Sequence, residues 1–420
     1  MIYCIKNRLI RLVVKTSKGI GKLIASVRNR NLKQIKIKKI LVNRSDRIGD
    51  AIITLPFLLE LKNQGYDVTV MTSTYNDFIL NRFFPTIPID HSVLSQESKP
   101  NLLWEECIQR MKDILQLIGR NESKDKKPEF DVFLDLMLGE KSPEGIYYAY
   151  KNKLSKYYIG CNKGPINIFQ DYSLKKTLIE LQELDIIQYY EKLLDDGLCI
   201  RIKTPDYIDI EPFEKYQQKG FNFRFPFGVI FIGGEPKRNL AVEQWKILIE
   251  RLAEDINIVV IDDPKNLMLP EIKKIVKAKN VYFIKNRYNI FELLTLTKKA
   301  RFFIGIDGGG THILSLPSNM LMIITSEMKN PFRPHSNNSY KTILSTNDFN
   351  IEETRTSAGL IKAVAYKSLP CRPCFVKFEC KKRECIEGID VELIADYMMY
   401  TYRRGEVPSP SCPTLQQEEQ

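Results

Sequence analysis

Residues 39–62 read KILVNRSDRIGDAIITLPFLLELK, and the order of elements in this segment indicates the fold class. The apolar run Lys39–Asn43 predicts a strand, and a polar turn then leads into a helical stretch from about Asp50 to Asn63. A strand followed by a helix is the repeating unit of an α/β fold. Ligands of such folds bind at the carboxyl ends of the strands, where the turn 44–50 is expected to lie.

The same alternation continues along the chain in two blocks, separated near residues 205–226. We predict further strands at Tyr66–Thr72, Phe130–Leu136, Lys156–Ile159, Gly228–Ile232, Ile256–Ile261, Val281–Ile284, Phe302–Gly305 and Met320–Thr325. The predicted helices are Leu102–Ile118, Val242–Ala253, Ile290–Lys299 and Val391–Tyr402. Strands that alternate with helices indicate doubly wound parallel sheets, one in each block.

The length of 420 residues suits two domains, and 44% hydrophobic residues suffice for a sizeable core. We divide the chain into an arm at 1–37, domains at 38–215 and 216–405, and a disordered Pro/Ser/Gln-rich tail at 406–420. No apolar run reaches the length of a membrane span, and we find no secretory signal. We therefore expect a cytoplasmic protein whose nine cysteines are thiols or metal ligands.

The positive charge is concentrated at the N-terminus. Of the 63 Lys and Arg residues, 13 lie within residues 1–45, which contain no Asp or Glu, so 50 remain against 51 acidic residues. Apolar residues recur in the arm at three- and four-residue spacing, which predicts a basic amphipathic helix. Such a helix suits an anionic membrane surface, or it packs on the protein with a solvated basic face. The near-neutral remainder argues against nucleic-acid binding.

Three strand-end segments contain candidate site residues. Asp50 begins a helix, where an ionised carboxylate acts either as a cap or as a general base. Gly308, Gly309 and Gly310 follow Asp307 and precede a helix, which suits a diphosphate, although a plain flexible turn is the alternative. After the first strand of the second block, Gly233–Arg238 (GGEPKR) contains two cations, which contact phosphate oxygens or are simply solvated.

These segments resemble glycosyltransferase family 9, the ADP-heptose:lipopolysaccharide heptosyltransferase-like enzymes. ILVNRSDRIGDAIITLPFLLELK resembles the family's opening, a strand followed by R-x-D-x-[ILM]-G-D and T-x-P. FFIGIDGGGTHILSL resembles its "FIGxDSGxxHLA" element, and GVIFIGGEPKRNLAVEQW its mid-chain nucleotide-sugar loop. FDVFLDL and the Cys-Arg-Pro-Cys tail support the match, which spans about residues 38–403.

The resemblance implies a GT-B fold, two Rossmann-like doubly wound domains facing a central cleft, with the acceptor on the first domain and the nucleotide sugar on the second. Asp50 matches the family's catalytic base, which implies a single inverting displacement at the anomeric carbon. The nucleotide and diphosphate contacts match Asp307, Gly308, Gly309, Gly310, Thr311 and His312. Lys237 or Arg238 matches the cation that neutralises the leaving diphosphate, so no metal cofactor is expected for catalysis.

The donor half departs from the family pattern in three places. Asn239-Leu240 replaces the usual Trp, Asp262-Asp263 replaces glycines, and residues 326–330 replace a Gly-Pro turn. The departures concern the donor sugar and base more than the inverting mechanism. We expect ADP-heptose, or a related nucleotide sugar, and a lipopolysaccharide-core or similar lipid-linked acceptor at the inner face of the cytoplasmic membrane.

A cysteine cluster lies near the end of the chain. Cys371, Cys374, Cys380 and Cys385 lie within fifteen residues, and four thiolates suit a structural zinc or iron ion. The second pair is not Cys-x-x-Cys, so a set of reduced thiols without metal is the alternative. In either case we expect a structural role, remote from catalysis.

The sequence is also compatible with two other functions. A nucleotide-sugar epimerase shares the two-domain layout, although the turn Arg47–Asp50 and the cysteine tail argue against it. A degenerate, non-catalytic sugar-nucleotide-binding protein would account for the donor-side departures, although Asp50 and Asp307 are both retained.

Overall fold

The fold was analysed in a computed structural model of the chain. The structure describes residues 32, 35–89, 128–137, 142–161, 170–174, 184–214, 221, 223–234, 238–262, 268–284, 288–325, 340–369 and 383–404. The predicted helix Leu102–Ile118, the amphipathic helix of the arm and the tail 406–420 lie outside these residues. The chain divides into two compact units, Met1–Arg47 with Leu61–Glu180 and Tyr190–Ile202, and Ile48–Glu60 with Leu181–Tyr189 and Lys203–Gln420.

The first sheet has six parallel strands in the order β3-β2-β1-β4-β5-β6. These are β1 (Lys39–Asn43), β2 (Asp67–Ser73), β3 (Thr86–Ile89), β4 (Phe130–Asp135), β5 (Ser155–Gly160) and β6 (Tyr172–Ser173). Asn43, the last residue of β1, is opposite Met71 of β2 and Asp135 of β4. The central position of β1 therefore places the turn that follows it between the ends of two neighbouring strands.

The helices that accompany the first sheet are α1 (Ile48–Asn63), α2 (Asp77–Leu80), α3 (Ser142–Lys151) and α4 (Ile186–Leu198). One face of the sheet forms a core with α3, in which Leu41, Phe133 and Ile146 are buried. The amino-terminal part of α1, residues 48–60, belongs to the second compact unit.

The second sheet has eight strands in the order β12-β13-β14-β11-β10-β7-β8-β9. They are β7 (Phe227–Ile232), β8 (Asn257–Asp262), β9 (Val281–Ile284), β10 (Phe303–Ile306), β11 (Met320–Ile324), β12 (Lys341–Thr346), β13 (Phe349–Arg355) and β14 (Ile361–Lys367). Strands β7 to β11 and β14 pair in parallel, as the doubly wound fold requires. The predicted α/β class with one largely parallel sheet in each block is confirmed.

The edge of the second sheet differs from the expectation of purely parallel strands. β12 pairs with β13, and β13 with β14, in antiparallel orientation. Asn347 and Asp348 form the two-residue turn between β12 and β13 with φ of 45° and 64°. Asn and Asp tolerate this left-handed conformation, which matches the twist of a hairpin. The Asn-Asp pair was the local signal for this hairpin, and the prediction overlooked it.

The helices of the second unit include one whose start is fixed by a capping box. They are α5 (Glu211–Glu214), α6 (Val242–Ala253), α7 (Leu269–Ile275), α8 (Ile290–Lys299), α9 (Gly309–Leu314), α10 (Glu384–Glu387) and α11 (Val391–Arg404). At the start of α8, the Asn289 side chain accepts hydrogen bonds from the backbone of Phe291 and Glu292. Glu292 bonds back to the Asn289 amide, which completes a capping box.

The main core of the second unit packs α6 and α11 on the sheet. Trp245 and Leu248 of α6 and Ile394 of α11 are fully buried in it. Across the described ranges, the length and apolar character needed to cross a membrane are not combined in any helix.

Candidate functional site

A buried arginine organises the turn that follows β1. Arg44 is 1% exposed, and its Nη1 donates to the Leu136 carbonyl at 2.7 Å and to the Tyr190 hydroxyl at 3.0 Å. Its Nη2 lies 2.9 Å from the Asp46 carboxylate. Charge-assisted bonds of this kind are stronger than neutral ones, so the guanidinium fixes the turn to the end of β4 and to Tyr190 within α4.

A second set of polar side chains lies beside it, also buried. The Asn43 amide donates to Asp135 Oδ1 at 3.0 Å, and Ser45 donates to Asn43 Oδ1 at 2.9 Å. The backbone N–H of Met137 also donates to Asp135 Oδ1, at 3.3 Å. Buried polar groups are tolerated when they are paired, and these pairs join the ends of β1 and β4.

The turn after β2 is bonded to the turn after β1. The Asn76 amide donates to the Arg44 carbonyl at 2.7 Å, and the Ser73 hydroxyl donates to the Asp46 carbonyl at 2.7 Å. Between them on the same turn, the Tyr75 side chain is 60% exposed. The carboxyl edge of the first sheet therefore combines a rigid set of hydrogen bonds with one exposed aromatic ring.

Asp50 is the third residue of α1, and its side chain is half-buried. The Thr54 hydroxyl donates to its carbonyl at 2.7 Å. The preceding residue, Gly49, lies against the glycine turn within the second compact unit. A β-carbon added at Gly49 would lie 3.1 Å from His312 Cδ2 and 3.5 Å from Gly309 Cα. The start of α1 and the glycine turn are therefore adjacent.

Asp307 directly follows β10 at the carboxyl edge of the second sheet. Its backbone N–H donates to the Ile323 carbonyl at 2.9 Å, and its side chain is 31% exposed. His312 Nε2 lies 3.2 Å from Asp307 Oδ1, and the His312 side chain is 6% exposed. The imidazole thus holds a carboxylate that remains accessible to a ligand.

The glycine turn has little room for side chains at two of its three glycines. A β-carbon at Gly310 would lie 2.6 Å from the buried Phe231 ring, and one at Gly309 would lie 3.0 Å from Ile48 Cβ. A β-carbon at Gly308 would have 3.7 Å to its nearest neighbour, Gly234 Cα. The turn is therefore packed closely on one side, and Gly308 is its open position.

The loop after β7 lies beside Asp307 through a glycine. Gly234 has φ of +99°, and a β-carbon added to it would lie 3.9 Å from the Asp307 carbonyl oxygen. Beyond residues 235–237, which the structure does not describe, Asn239 is buried and accepts a bond from the Trp245 indole at 2.9 Å. Asn239, noted above as a departure from the family pattern, anchors this loop.

Of the two cations predicted on this loop, the structure describes only Arg238. Lys237 lies outside the described residues. Arg238 is half-buried, and the hydroxyl of Thr325, at the end of β11, donates to its carbonyl at 2.5 Å. The carboxyl edge of the second sheet therefore brings Arg238 to the same side as Asp307.

A buried lysine holds the other end of α9. Lys362 of β14 is fully buried, and its Nζ donates to the carbonyls of Ser315, Leu316 and Ser318 at 2.6, 3.2 and 2.8 Å. Burial lowers the pKa of Lys362 to about 7, because a charged amine is poorly solvated there. Sequence reasoning missed this residue, since its partners are backbone atoms distant in sequence.

The cysteine cluster is only partly described. Cys371, Cys374 and Cys380 lie outside the described residues, and Cys385 is half-buried in α10 against the core of the second unit. Among the residues that the structure does describe, His, Cys, Asp and Glu side chains form no group that could hold a metal ion. The predicted metal site therefore stays a prediction.

No protein-family model matches the sequence, and no curated protein matches it. Solved structures resemble the fold. Escherichia coli ADP-heptose LPS heptosyltransferase II is 13% identical, with a TM-score of 0.50 over 71% of this chain and 88% of that one. A family 9 glycosyltransferase from Veillonella parvula is 16% identical, with a TM-score of 0.49 over 73% and 84%. The iron-containing dodecameric glycosyltransferase TibC of enterotoxigenic E. coli is 10% identical, with a TM-score of 0.45 over 89% and 78%.

The likeness to heptosyltransferase II is a likeness of fold. It confirms, at that level, the resemblance that the motifs around Asp50 and Asp307 indicate, and it confirms the GT-B class.

Proposed function

We propose that this protein is an inverting glycosyltransferase that transfers heptose, or a related sugar, from a nucleotide sugar to a lipopolysaccharide-core or similar lipid-linked glycan. Its fold is that of a heptosyltransferase, and the name of the E. coli enzyme specifies ADP-heptose. ADP-heptose is therefore the first donor to test.

The observation that carries the proposal is the contact of Gly49 with Gly309 and His312. It brings the residue before Asp50 against the turn that would bind the donor diphosphate. A general base has to lie within reach of the hydroxyl that it deprotonates, and that hydroxyl has to lie near the anomeric carbon. The contact supports one site that contains both Asp50 and the glycine turn.

In the proposed reaction, Asp50 accepts the proton of an acceptor hydroxyl as its oxygen attacks the anomeric carbon. The bond from that carbon to the diphosphate breaks in the same step, so the configuration inverts. The electron pair of the broken bond leaves with the nucleoside diphosphate. A positioned base contributes roughly 10²–10⁴ in rate, so Asp50 would dominate the acceptor side of catalysis.

On the donor side, the open position at Gly308 lets the backbone approach the diphosphate closely. Asp307, held by His312, would accept hydrogen bonds from hydroxyls of the donor, because an ionised carboxylate is an acceptor only. Arg238, Lys237, or both would neutralise the charge that develops on the leaving group. These fixed cations would serve in place of a metal cofactor.

The exposed ring of Tyr75 provides an apolar surface beside the turn of Arg44 and Asp46. An aromatic ring with a hydroxyl suits a sugar, which has both apolar faces and polar edges. We expect Tyr75→Ala to raise the KM for the acceptor while leaving the KM for the donor unchanged. Tyr75→Phe keeps the ring and serves as the matched control.

The N-terminal arm would hold the enzyme at the inner face of the cytoplasmic membrane, where a lipid-linked acceptor is accessible. Each Lys or Arg near an anionic surface is worth about 1 kcal/mol. Deletion of residues 1–37 should release the protein from membranes and spare turnover of a water-soluble acceptor. Unchanged membrane partitioning would contradict this part of the proposal.

The cysteines Cys371, Cys374, Cys380 and Cys385 would hold a structural zinc or iron ion. Metal analysis of anaerobically purified protein tests this, because the site predicts one equivalent of zinc or iron. Protein without stoichiometric metal would remove the site and leave the proposed transfer reaction untouched.

Product analysis tests the proposed activity. Incubation with ADP-heptose and a lipopolysaccharide-core acceptor should yield a new glycosidic bond of inverted configuration, detected by mass spectrometry and NMR. An epimerised donor in place of a glycoside would identify a nucleotide-sugar epimerase. Donor binding without any product would favour the non-catalytic, sugar-nucleotide-binding alternative.

A further inference from the structure

Lys362 is a fully buried lysine to which the proposed reaction assigns no part. It lies in β14, where it is opposite Met320 of the neighbouring strand β11. Its Nζ donates to three buried carbonyls that follow α9, those of Ser315, Leu316 and Ser318. A charged amine has three N–H donors, so each carbonyl accepts one of them.

A buried amine needs a physical reason, because burial of a charged or polar group costs free energy unless the group is hydrogen-bonded. A methionine has a similar length and could fill the same space without that cost. The amine does what methionine cannot, since it satisfies carbonyls at a helix end, which have no partner within the helix. A cation is also stabilising beside the carbonyl end of a helix. Lys362 therefore fixes the carboxyl end of α9 to β14.

The helix α9 depends on such contacts for its position. It has six residues, and a helix of that length is not stable on its own. Its first two residues, Gly309 and Gly310, have no side chains that could anchor it. Near its start, the Thr311 hydroxyl donates to the carbonyl of Ile306 in β10. Lys362 holds the chain beyond its other end, so the position of the glycine turn depends on both ends of the helix.

A continuous series of hydrogen bonds joins Lys362 to Asp307. Lys362 Nζ donates to the Ser315 carbonyl, and the Ser315 hydroxyl donates to the His312 carbonyl at 3.1 Å. His312 Nε2 in turn lies 3.2 Å from Asp307 Oδ1. Ser315 is fully buried and His312 nearly so. Because closely packed interiors transmit displacements, a shift at the end of α9 would move the imidazole that holds Asp307.

We propose that Lys362 is a positioning residue for the donor, which it places by holding α9, His312 and the turn Gly308–Gly310. This role rests on the proposed function, because the ligand of the turn is the donor diphosphate. Lys362 acts through α9 and not on the donor itself, since its side chain is fully buried. A misplacement of about 1 Å by a remote change can cost roughly 10²-fold in rate, so the effect is large enough to measure.

The first measurement is donor affinity by calorimetry, with full-length protein and ADP-heptose or whichever UDP- or GDP-sugar the wild type binds. The test variant, Lys362→Met, removes the amine and keeps the length of the side chain. The matched control, Ile394→Ala, opens a cavity at a fully buried position of α11 in the same unit. Circular dichroism establishes a temperature at which every variant is folded. Donor affinity should fall roughly tenfold or more in Lys362→Met and stay at the wild-type value in Ile394→Ala.

Steady-state kinetics give a second readout that general destabilisation would not produce. Lys362→Met should raise the KM for the donor and leave the KM for the acceptor unchanged, because α9 lies on the donor side.

A third measurement needs no donor. The chain has three histidines, so selective ¹⁵N labelling resolves the His312 imidazole, and His312→Gln assigns its signals. Lys362→Met should shift these signals, whereas Ile394→Ala should leave them in place. If Lys362→Met does not fold, Lys362→Gln, which keeps an amide donor, takes its place in all three measurements.

The outcomes separate this inference from the proposed function. A wild type that binds a donor, with equal affinity in Lys362→Met, would overturn the positioning role and leave the transfer reaction standing. Unchanged His312 signals in Lys362→Met, or equal losses of affinity in the test and control variants, would also overturn it. A wild type that binds no donor would overturn the proposed function and, with it, this role of Lys362.

Discussion

The carboxyl edges of the two sheets differ in whether side chains or backbone form them. In the first sheet, the edge is held by side chains, with Arg44 bonded to the end of β4, to Tyr190 of α4 and to Asp46. In the second, the edge at Gly308–Gly310 is mostly backbone, and its neighbours would clash with a β-carbon at Gly310. A side-chain network fixes where catalytic groups lie, whereas a backbone turn lets a charged ligand come close. The difference suits an acceptor side that positions a base and a donor side that binds a diphosphate.

Replacement of Asp50 should have the largest effect. Asp50→Asn keeps the shape of the side chain but removes the base, so kcat should fall by roughly 10²–10⁴. Donor affinity should change little, because the donor side is built from other residues. Steady-state kinetics and donor calorimetry measure both quantities. Glu60→Gln, which changes a carboxylate later in the same helix, is the control, and equal losses in both variants would contradict the assignment.

The carboxyl edge of the first sheet should lose stability when its buried cation, Arg44, is removed. Arg44→Met removes the charge that pairs with Asp46 and one of the two hydrogen bonds that the Leu136 carbonyl accepts, so we expect the free energy of unfolding to fall by about 3 kcal/mol. Denaturant unfolding measures this change. Arg47→Met, at the exposed arginine three residues later, should cost little. Equal stability of the two variants would show that the Arg44 contacts do not hold this edge.

At the carboxyl edge of the second sheet, adding a single methyl group to a glycine of the turn Gly308–Gly310 should change stability or donor binding. Gly310→Ala brings a β-carbon within 2.6 Å of the Phe231 ring, and such overpacking costs about 1–3 kcal/mol. Gly308→Ala, where the nearest neighbour is 3.7 Å away, should fold normally and weaken donor binding. Thermal unfolding and donor calorimetry together separate packing from ligand approach. Normal donor binding by Gly308→Ala would mean that the diphosphate does not approach this turn.

Lys362, which holds the end of α9, should make the free energy of unfolding depend on pH. Its pKa is about 7 in the folded protein and 10.5 ordinarily, so between these values the unfolded chain binds the proton that the folded chain has lost. The free energy of unfolding should therefore rise with pH across this window, by up to about 1.4 kcal/mol per pH unit.

Denaturant unfolding at several pH values, compared with Lys362→Met, measures this contribution. The variant lacks the titrating amine, so its stability should lack this rise. Lys341→Met, at an exposed lysine of the same sheet, should behave like the wild type. A rise of the same size in wild type and Lys362→Met would assign it to other groups.

The sequence predicted the repeating elements well where local signals are strong. The bounds of β1, β9, α6 and α8 agree with the prediction, since apolar periodicity and caps such as Asn289 are local. The hairpin of β12 and β13 was missed because the two strands, KTILST and FNIEETR, contain few apolar residues, although Asn347-Asp348 indicated its turn.

Only part of the candidate site could be predicted, because only some of its residues lie in contiguous motifs. The motifs around Asp50 and Asp307 are contiguous and could be found. The Arg44 network and Lys362 could not, because their partners other than Asp46 are 44 to 146 residues away in sequence and are often backbone carbonyls. Residues that act through neighbours distant in the chain have no pattern of their own.

Donor binding tests the central claim most directly. Calorimetry of the full-length wild type and of Asp307→Ala would use ADP-heptose, a UDP-sugar and a GDP-sugar. We predict that the wild type binds ADP-heptose, or another of these donors. Asp307→Ala should lose roughly tenfold or more in affinity, because a charged hydrogen bond is removed. Absence of binding to every donor, or equal binding by wild type and variant, would contradict it.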